Sequence, residues 1–322
     1  MKKEFLAVLV LFLSSGLLQA QKNKTFSISS PDGRLQVQVS AGDQLQWTVI
    51  ADGDTILLPS RISLSLTDGK TWGRQMRGSK ASIRSVNNWI IPLHYKKDSI
   101  ADRYQELAVS TKDGYSILFR AYDDGAAYHF VGQTPGELEV AAEEATFRFP
   151  SDNSGYFPYV NDPHNHDIFE TSFENTYQHM RLSEFSHTDT LAFAPVLVEL
   201  SKGRKAVITE SDLEDYPGMF LQGLKGGYGL QGRFAPYPLE ERQGGHNDLQ
   251  SFVLKRAPYL AKTTGTRSFP WRIVVISRED KDLVNNDMVY RLAAPNRLAE
   301  TSWIRPGKVA WDWWNDWNIS HV

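Results

Sequence analysis

"FSISSPDGRLQVQVS", residues 26–40, sets the pattern of the whole molecule: Leu35, Val37 and Val39 alternate with Arg34, Gln36 and Gln38. In an extended chain successive side chains point to opposite faces, so this alternation buries one face of a strand and wets the other. The same period runs from Thr25 to about Pro270, punctuated by turn signals: PDG at 31–33, ADGD at 51–54, KDG at 112–114 and DDG at 123–125. Many amphipathic strands joined by short turns predict stacked antiparallel sheets. The region is longer than an ordinary sandwich domain, so the expected fold is mainly β, a large two-sheet antiparallel sandwich with long loops.

On either side of this region the pattern changes. Lys2 and Lys3 precede an apolar run from Phe5 to Leu18, followed by LQAQ, which is the form of a secretory signal cleaved after Ala20. The run is shorter than a membrane span needs, so no span is expected in the mature chain. Toward the other end, Leu283, Val284, Met288, Val289 and Leu292 fall near helical spacing, with Asp280 as the candidate N-cap. A helical linker over 280–302 is expected to leave a β domain spanning 21–279. From Trp303 a new unit opens, and KVAWDWW has the look of a strand delivering polar and aromatic side chains to a rim. If Lys308–Trp313 is the first strand of a βα-barrel, about 200 further residues are needed to complete it, so the expectation for 303–322 is a truncated start of such a barrel.

At 322 residues, 41% hydrophobic and 23% charged, the composition is that of a globular protein with a substantial core. A net charge of −3 without a basic stripe argues against nucleic acid as a partner. The absence of cysteine excludes disulfides and thiolate metal sites and leaves oxygen ligands as the natural holders of any metal.

Four local motifs carry candidate chemistry. Gly227, Gly229 and Gly232 have dinucleotide-loop spacing, but two prolines and no helical pattern follow them; a pyrophosphate needs a helix N-terminus there, so a β-hairpin is the better reading. His164, His166 and Asp167 sit in a long Asn- and Pro-rich stretch from Asp152 to Asp189. They suit either a transition metal or, more simply, a loop that packs against a partner domain or lends groups to a sugar site. ITESDLEDYPGM, residues 208–219, gathers Glu210, Asp212, Glu214 and Asp215. Four carboxylates so close repel unless a cation such as Ca²⁺ or basic side chains offset them. Finally WDWWNDW, residues 311–317, is either an aromatic core cluster or a platform on which sugar rings stack while Asp and Asn meet hydroxyls.

Taken in order, SPDGRL, LFRAYDDGAAYHF at 118–130, ITESDLEDYPGM, PWRIVVI at 270–276 and KVAWDWW resemble glycoside hydrolase family 97 over residues 25–322. The resemblance implies an exo-acting, Ca²⁺-dependent α-glycosidase with an N-terminal β-supersandwich, a central (β/α)₈ catalytic barrel and a C-terminal β-domain, of which this chain holds the first part. It implies that Glu210 reaches the calcium ion of the barrel, whereas Asp212 and Glu214 occupy neighbouring motif positions without being ligands. It implies no catalytic residue in this chain, because the catalytic carboxylates lie on later barrel strands, so the fragment is expected to be inactive alone. Asp312, Trp313 and Trp314 are the expected substrate contacts. The Asp-Trp-Trp-Asn entry strand looks more like the retaining α-galactosidase members than the inverting α-glucosidase members. Expected partners are an oligosaccharide and, within the molecule, the barrel; expected location is the periplasm. A sugar-binding β-sandwich module without catalytic activity is the rival reading.

Overall fold

The computed structural model describes residues 24–76, 79–160 and 167–309. Strands β1 (Lys24–Ser29), β2 (Leu35–Ala41), β3 (Gln46–Ala51) and β4 (Asp54–Leu66) form an antiparallel meander, extended by β5 (Thr71–Trp72). The deciding stretch is β2, and its Leu35, Val37 and Val39 are fully buried while Gln36 and Gln38 are partly open. Between β3 and β4 the chain reverses through Asp52 and Gly53, at φ 52° and 82°. Two consecutive positive φ values give the turn whose twist matches the flanking strands, which is why Asp-Gly stands there.

A second meander comes next: β6 (Lys80–Ile90), β7 (Ile100–Ser110), β8 (Tyr115–Tyr122) and β9 (Gly125–Arg148). β9 belongs to both layers. Its first part pairs with β8, and from Val140 to Arg148 it pairs with β4. The chain continues through β10 (Ser154–Phe157), β11 (Gln178–Arg181), α1 (Leu182–Ser186), β12 (Val196–Glu199) and β13 (Lys205–Ser211). Next come β14 (Met219–Gly223), β15 (Gly229–Phe234), a separate hairpin of β16 (Pro238–Gly244) and β17 (Gln250–Arg256), then β18 (Ala261–Ser268) and β19 (Trp271–Ser277). β13 lies against β19, and β19 against the start of β9, which closes one layer; β14 and β15 extend the other. Every pairing among the described residues is antiparallel, as the alternation predicts.

The main core lies between the layers. Trp47 of β3 meets Tyr128 of β9 edge-on at 5.1 Å, and Trp72 stacks on Tyr115 at 4.9 Å. Burying each such side chain contributes about 2–3 kcal/mol. A smaller cluster on the outer face of the β8–β9–β19 layer joins Tyr104, Tyr122, Ile273 and Val275 to Met288 and Leu292. β19 is therefore buried on both faces along its whole length. That is why WRIVVIS runs apolar instead of alternating.

Three expectations are corrected. The helical segment is two short helices, α2 (Asp280–Val284) and α3 (Met288–Leu292), separated by Asn285, Asn286 and Asp287. Asn286 Oδ1 accepts the Met288 N–H at 3.0 Å, a side-chain bond that competes with helix continuation. The N-cap of α2 is Glu279, one residue before Asp280. The 152–189 stretch is less irregular than its composition suggests, carrying β10, β11 and α1. Residues 1–20, His164, His166, Asp312, Trp313 and Trp314 lie outside the described residues; of the strand-like run from Lys308, only Lys308 and Val309 are described, and both are irregular. No helix among the described residues is long and apolar enough to cross a membrane.

Candidate functional site at the Glu210 strand end

Glu210, the penultimate residue of β13, lies directly opposite Arg272 of β19, on the face that looks between the layers. Arg272 is wholly inside, its side chain 1% exposed. A guanidinium there needs partners for its donors. It donates Nε and Nη2 to the two oxygens of Glu143 at 2.7 and 2.8 Å, and Nη1 to Glu210 Oε2 at 2.5 Å. The ring of Phe234 covers it at 4.9 Å. Glu210 Oε1 accepts the Met219 N–H at 2.9 Å, which folds the 212–218 loop over the carboxylate.

One cation thus faces two carboxylates. Burial pushes the Glu210 carboxyl above the usual range, and the Glu143 charge adds to this against the opposing pull of Arg272 and Met219. For Arg272 burial works to lower the pKa, but the Glu143 carboxylate overrides it and the guanidinium is held charged more firmly than usual. Glu143, 3% exposed, is sealed in, whereas Glu210 retains 15% exposure.

The other acids of the motif point away from Glu210. Asp212 Oδ1 accepts the Ala294 N–H at 2.9 Å, and Glu214 pairs with Arg297 at 2.6 Å, so both hold the segment after α3. Asp215 accepts from Thr263 Oγ1 at 3.2 Å, and Arg267 donates to the backbone carbonyls of Glu214 and Asp215. Basic groups and N–H donors therefore offset the acidic loop. Among the described residues no three His, Cys, Asp or Glu side chains converge as a metal set, so a cation at Glu210 needs further ligands from elsewhere.

Asp167 accepts from Arg256 Nε at 2.5 Å, tying its loop to the β16–β17 hairpin. Asp167 is thus an ion-pair partner of a hairpin in the same β domain. Gly229 and Gly232 lie on β15, where a Cβ at Gly229 would meet the Phe147 carbonyl oxygen at 2.5 Å. Close strand approach explains these glycines, and the chain runs on from β15 into the β16–β17 hairpin rather than into a helix.

A second polar group lies on the outer face. Glu106 accepts Arg84 Nε at 2.7 Å and Arg120 Nε at 2.9 Å, and Arg120 sits between the rings of Tyr104 and Trp271. His129 stacks on Trp271 at 3.5 Å and donates from Nδ1 to the Phe269 carbonyl at 3.1 Å. Burial pushes its pKa down to about 3, so the ring is neutral.

Arg272 and Glu143 were not singled out from the sequence. A signal existed: an arginine inside an otherwise apolar strand buried on both faces must have a charged partner. Its partners, however, are 62 and 129 residues away.

Known proteins share this architecture. The family model described as glycosyl-hydrolase 97 N-terminal matches residues 28–295. A retaining alpha-galactosidase of Bacteroides thetaiotaomicron is 43% identical over 324 residues, covering 100% of this chain and 48% of that protein. A probable retaining alpha-galactosidase of Streptomyces bingchenggensis is 26% identical, covering 88% of this chain and 40% of its own length. The chain thus spans about half, or less, of these relatives. A glycoside hydrolase family 97 enzyme from Pseudoalteromonas sp. strain K8, solved in complex with acarbose, superposes with a TM-score of 0.73 at 19% identity, over 90% of this chain and 41% of that one. At that identity the likeness speaks for the fold alone.

Proposed function

Because the chain belongs to glycoside hydrolase family 97, we propose that it is the N-terminal portion of an exo-acting, retaining α-galactosidase that removes terminal α-linked galactose from oligosaccharides. The observation that carries this reading is the 43% identity, over the whole of this chain, with the retaining alpha-galactosidase of Bacteroides thetaiotaomicron.

In such a reaction one carboxylate attacks the anomeric carbon while a carboxylic acid protonates the departing glycosidic oxygen; water then displaces the carboxylate and returns the proton. No residue of this chain is assigned either role. Asp312, Trp313 and Trp314 are proposed as sugar contacts, and the segment from Lys2 to Ala20 supports export to the periplasm.

The proposal includes Ca²⁺, with Glu210 as this chain's ligand. The donor set fits. Each Glu210 oxygen accepts one hydrogen bond and keeps a free lone pair, and the excess negative charge of two carboxylates on one guanidinium favours a nearby cation. When bound, the ion would supply charge stabilisation near the leaving oxygen. Met219 N–H and Arg272 hold the carboxylate in one orientation for that purpose, and Asp212 and Glu214 are committed to the linker.

The test joins residues 21–322 to the unmatched C-terminal half of the Bacteroides relative and measures hydrolysis of aryl α-galactosides and α-glucosides with and without EDTA. Expected are galactoside turnover with retained configuration, its loss in EDTA, and a weakened Ca²⁺ affinity in Glu210→Ala, so that more Ca²⁺ is needed for half-maximal turnover. The 322-residue chain alone should be inactive. Glucoside turnover with inversion would replace the substrate assignment, and unchanged Ca²⁺ dependence in Glu210→Ala would remove Glu210 as a ligand.

A further inference from the structure

The exposed large apolar side chains are unevenly distributed. More than half of those among the described residues fall within 83–93 and 284–309. These segments are far apart in sequence but joined in space. The 91–98 loop, which comes after β6, donates from Lys96 Nζ to the Val284 carbonyl and from Lys97 Nζ to the Asn285 carbonyl at 2.9 Å. Tyr95 OH donates to Asp287 Oδ1 at 2.9 Å, its ring lies 4.1 Å from that of Tyr290, and Lys97 pairs with Asp287. Further along, His94 Nε2 and the Ile304 carbonyl oxygen are 2.8 Å apart. A linker held at both ends by one loop is no free tether, because few of its backbone angles remain free to swing the chain beyond it.

Beside this clasp is a hollow of about 590 Å³ walled by Ile91, Leu93, His94, Tyr95, Lys97 and Pro306. Ile91 is 74% exposed and Val309 86%. β6 prolongs the surface. It pairs with β7 along all 11 residues, has no strand on its other side among the described residues, and exposes Ile83 and Trp89. A long open strand edge beside several exposed apolar side chains is a surface that proteins normally cover.

Two facts point to the cover. The described path runs from Pro306, a wall of the hollow, to Val309. The relatives carry more than half of their length outside the part that this chain matches. We propose that the hollow and the β6 edge seat the C-terminal half present in the relatives, and that the 91–98 loop is the clasp setting its orientation. The inference rests on the reading that this chain is the N-terminal portion of a longer hydrolase, and it adds the surface on which the two halves meet.

The test compares hydrogen exchange over 80–98 in the 322-residue chain and in the chain joined to the C-terminal half of the Bacteroides relative. Expected is exchange slowed about tenfold or more in the joined chain. Ile91→Asp with Leu93→Asp should restore fast exchange and split one thermal transition into two. A joined chain that hydrolyses galactosides while 80–98 exchanges as fast as before overturns the surface and leaves the enzyme reading standing. Slowed exchange without hydrolysis sustains the surface and counts against that reading. A joined chain with neither property overturns both. The 322-residue chain gives an independent check, because its uncovered seat must bind anilinonaphthalene sulfonate and the double variant must lose most of that fluorescence with unchanged circular dichroism. No dye binding, or none lost, also overturns the proposal.

Discussion

Replacing Arg272 by Met tests whether the Glu210 site is held by charge pairing. The substitution keeps an unbranched chain of similar reach but deletes three bonds, two to Glu143 at 2.7 and 2.8 Å and one to Glu210 at 2.5 Å. Left behind are two carboxylates, 3% and 15% exposed, with no cation between them. Breaking a buried pair costs about 3–5 kcal/mol, and stranding two acids instead of one puts this case at the upper end. For a chain of this size that is a fall of roughly 10 °C in Tm. The pH dependence is diagnostic. In the variant the Glu210 carboxyl, already raised by burial, loses the guanidinium that opposed the rise, so the lost stability returns as pH falls toward the unfolded carboxyl range and is missing in full at neutral pH. Urea denaturation at pH 7 and pH 5, followed by circular dichroism, measures both effects, and Glu143→Gln added to Arg272→Met should recover part of the loss. A deficit below about 1 kcal/mol at pH 7, or one that grows on acidification, would refute the argument.

His129 provides a second pH test. The unfolded chain binds a proton below 6.5 that the folded chain refuses until about 3, so stability is lost as pH falls through that window. Between pH 7 and pH 5 the loss is about 2 kcal/mol. His129→Phe should remove this component whatever its absolute stability, and equal pH slopes for the two chains would contradict a buried neutral imidazole. Tyr95→Phe deletes the hydrogen bond to Asp287 while leaving the Tyr290 contact; a cost of about 1 kcal/mol and faster proteolysis after α2 are expected, and unchanged proteolysis would show that the clasp does not rest on this bond. Gly53→Ala places a Cβ at φ 82° in the β3–β4 turn, with an expected loss of about 1–2 kcal/mol in thermal denaturation; no loss would mean that the turn relaxes.

Much of the site's surroundings was legible from local pattern. The hairpin turn at 51–54, the alternation of β2 and the glycine-rich β15 each stem from a few adjacent residues, because face parity and turn geometry are local properties. Glu210 was singled out from a dense acidic motif and the family it resembles. What its carboxylate touches was not legible, since the acids of one motif turn in different directions: Glu210 inward to Arg272, Asp212 and Glu214 outward to the linker. The short break at 285–287 was missed for a related reason. Helical spacing of Leu283, Val284, Met288 and Val289 spans the gap, whereas the backbone leaves helical geometry at Asn285 and Asp287 and the Asn286 side chain bonds the Met288 N–H.

By itself the amino-acid sequence determined the class of the fold, which residues of an alternating strand such as β2 face inward, where hairpins turn, and the family to which the chain belongs. These come from period, turn chemistry and ordered motifs. Tertiary structure alone decided that β9 crosses from one layer to the other, that Arg272 is shared between Glu143 and Glu210, and that the 91–98 loop grips a linker about 190 residues later. The physical reason is common to all three. A strand's own pattern says which face is apolar, but which strand it meets is settled by closing loops of tens to hundreds of residues around one core.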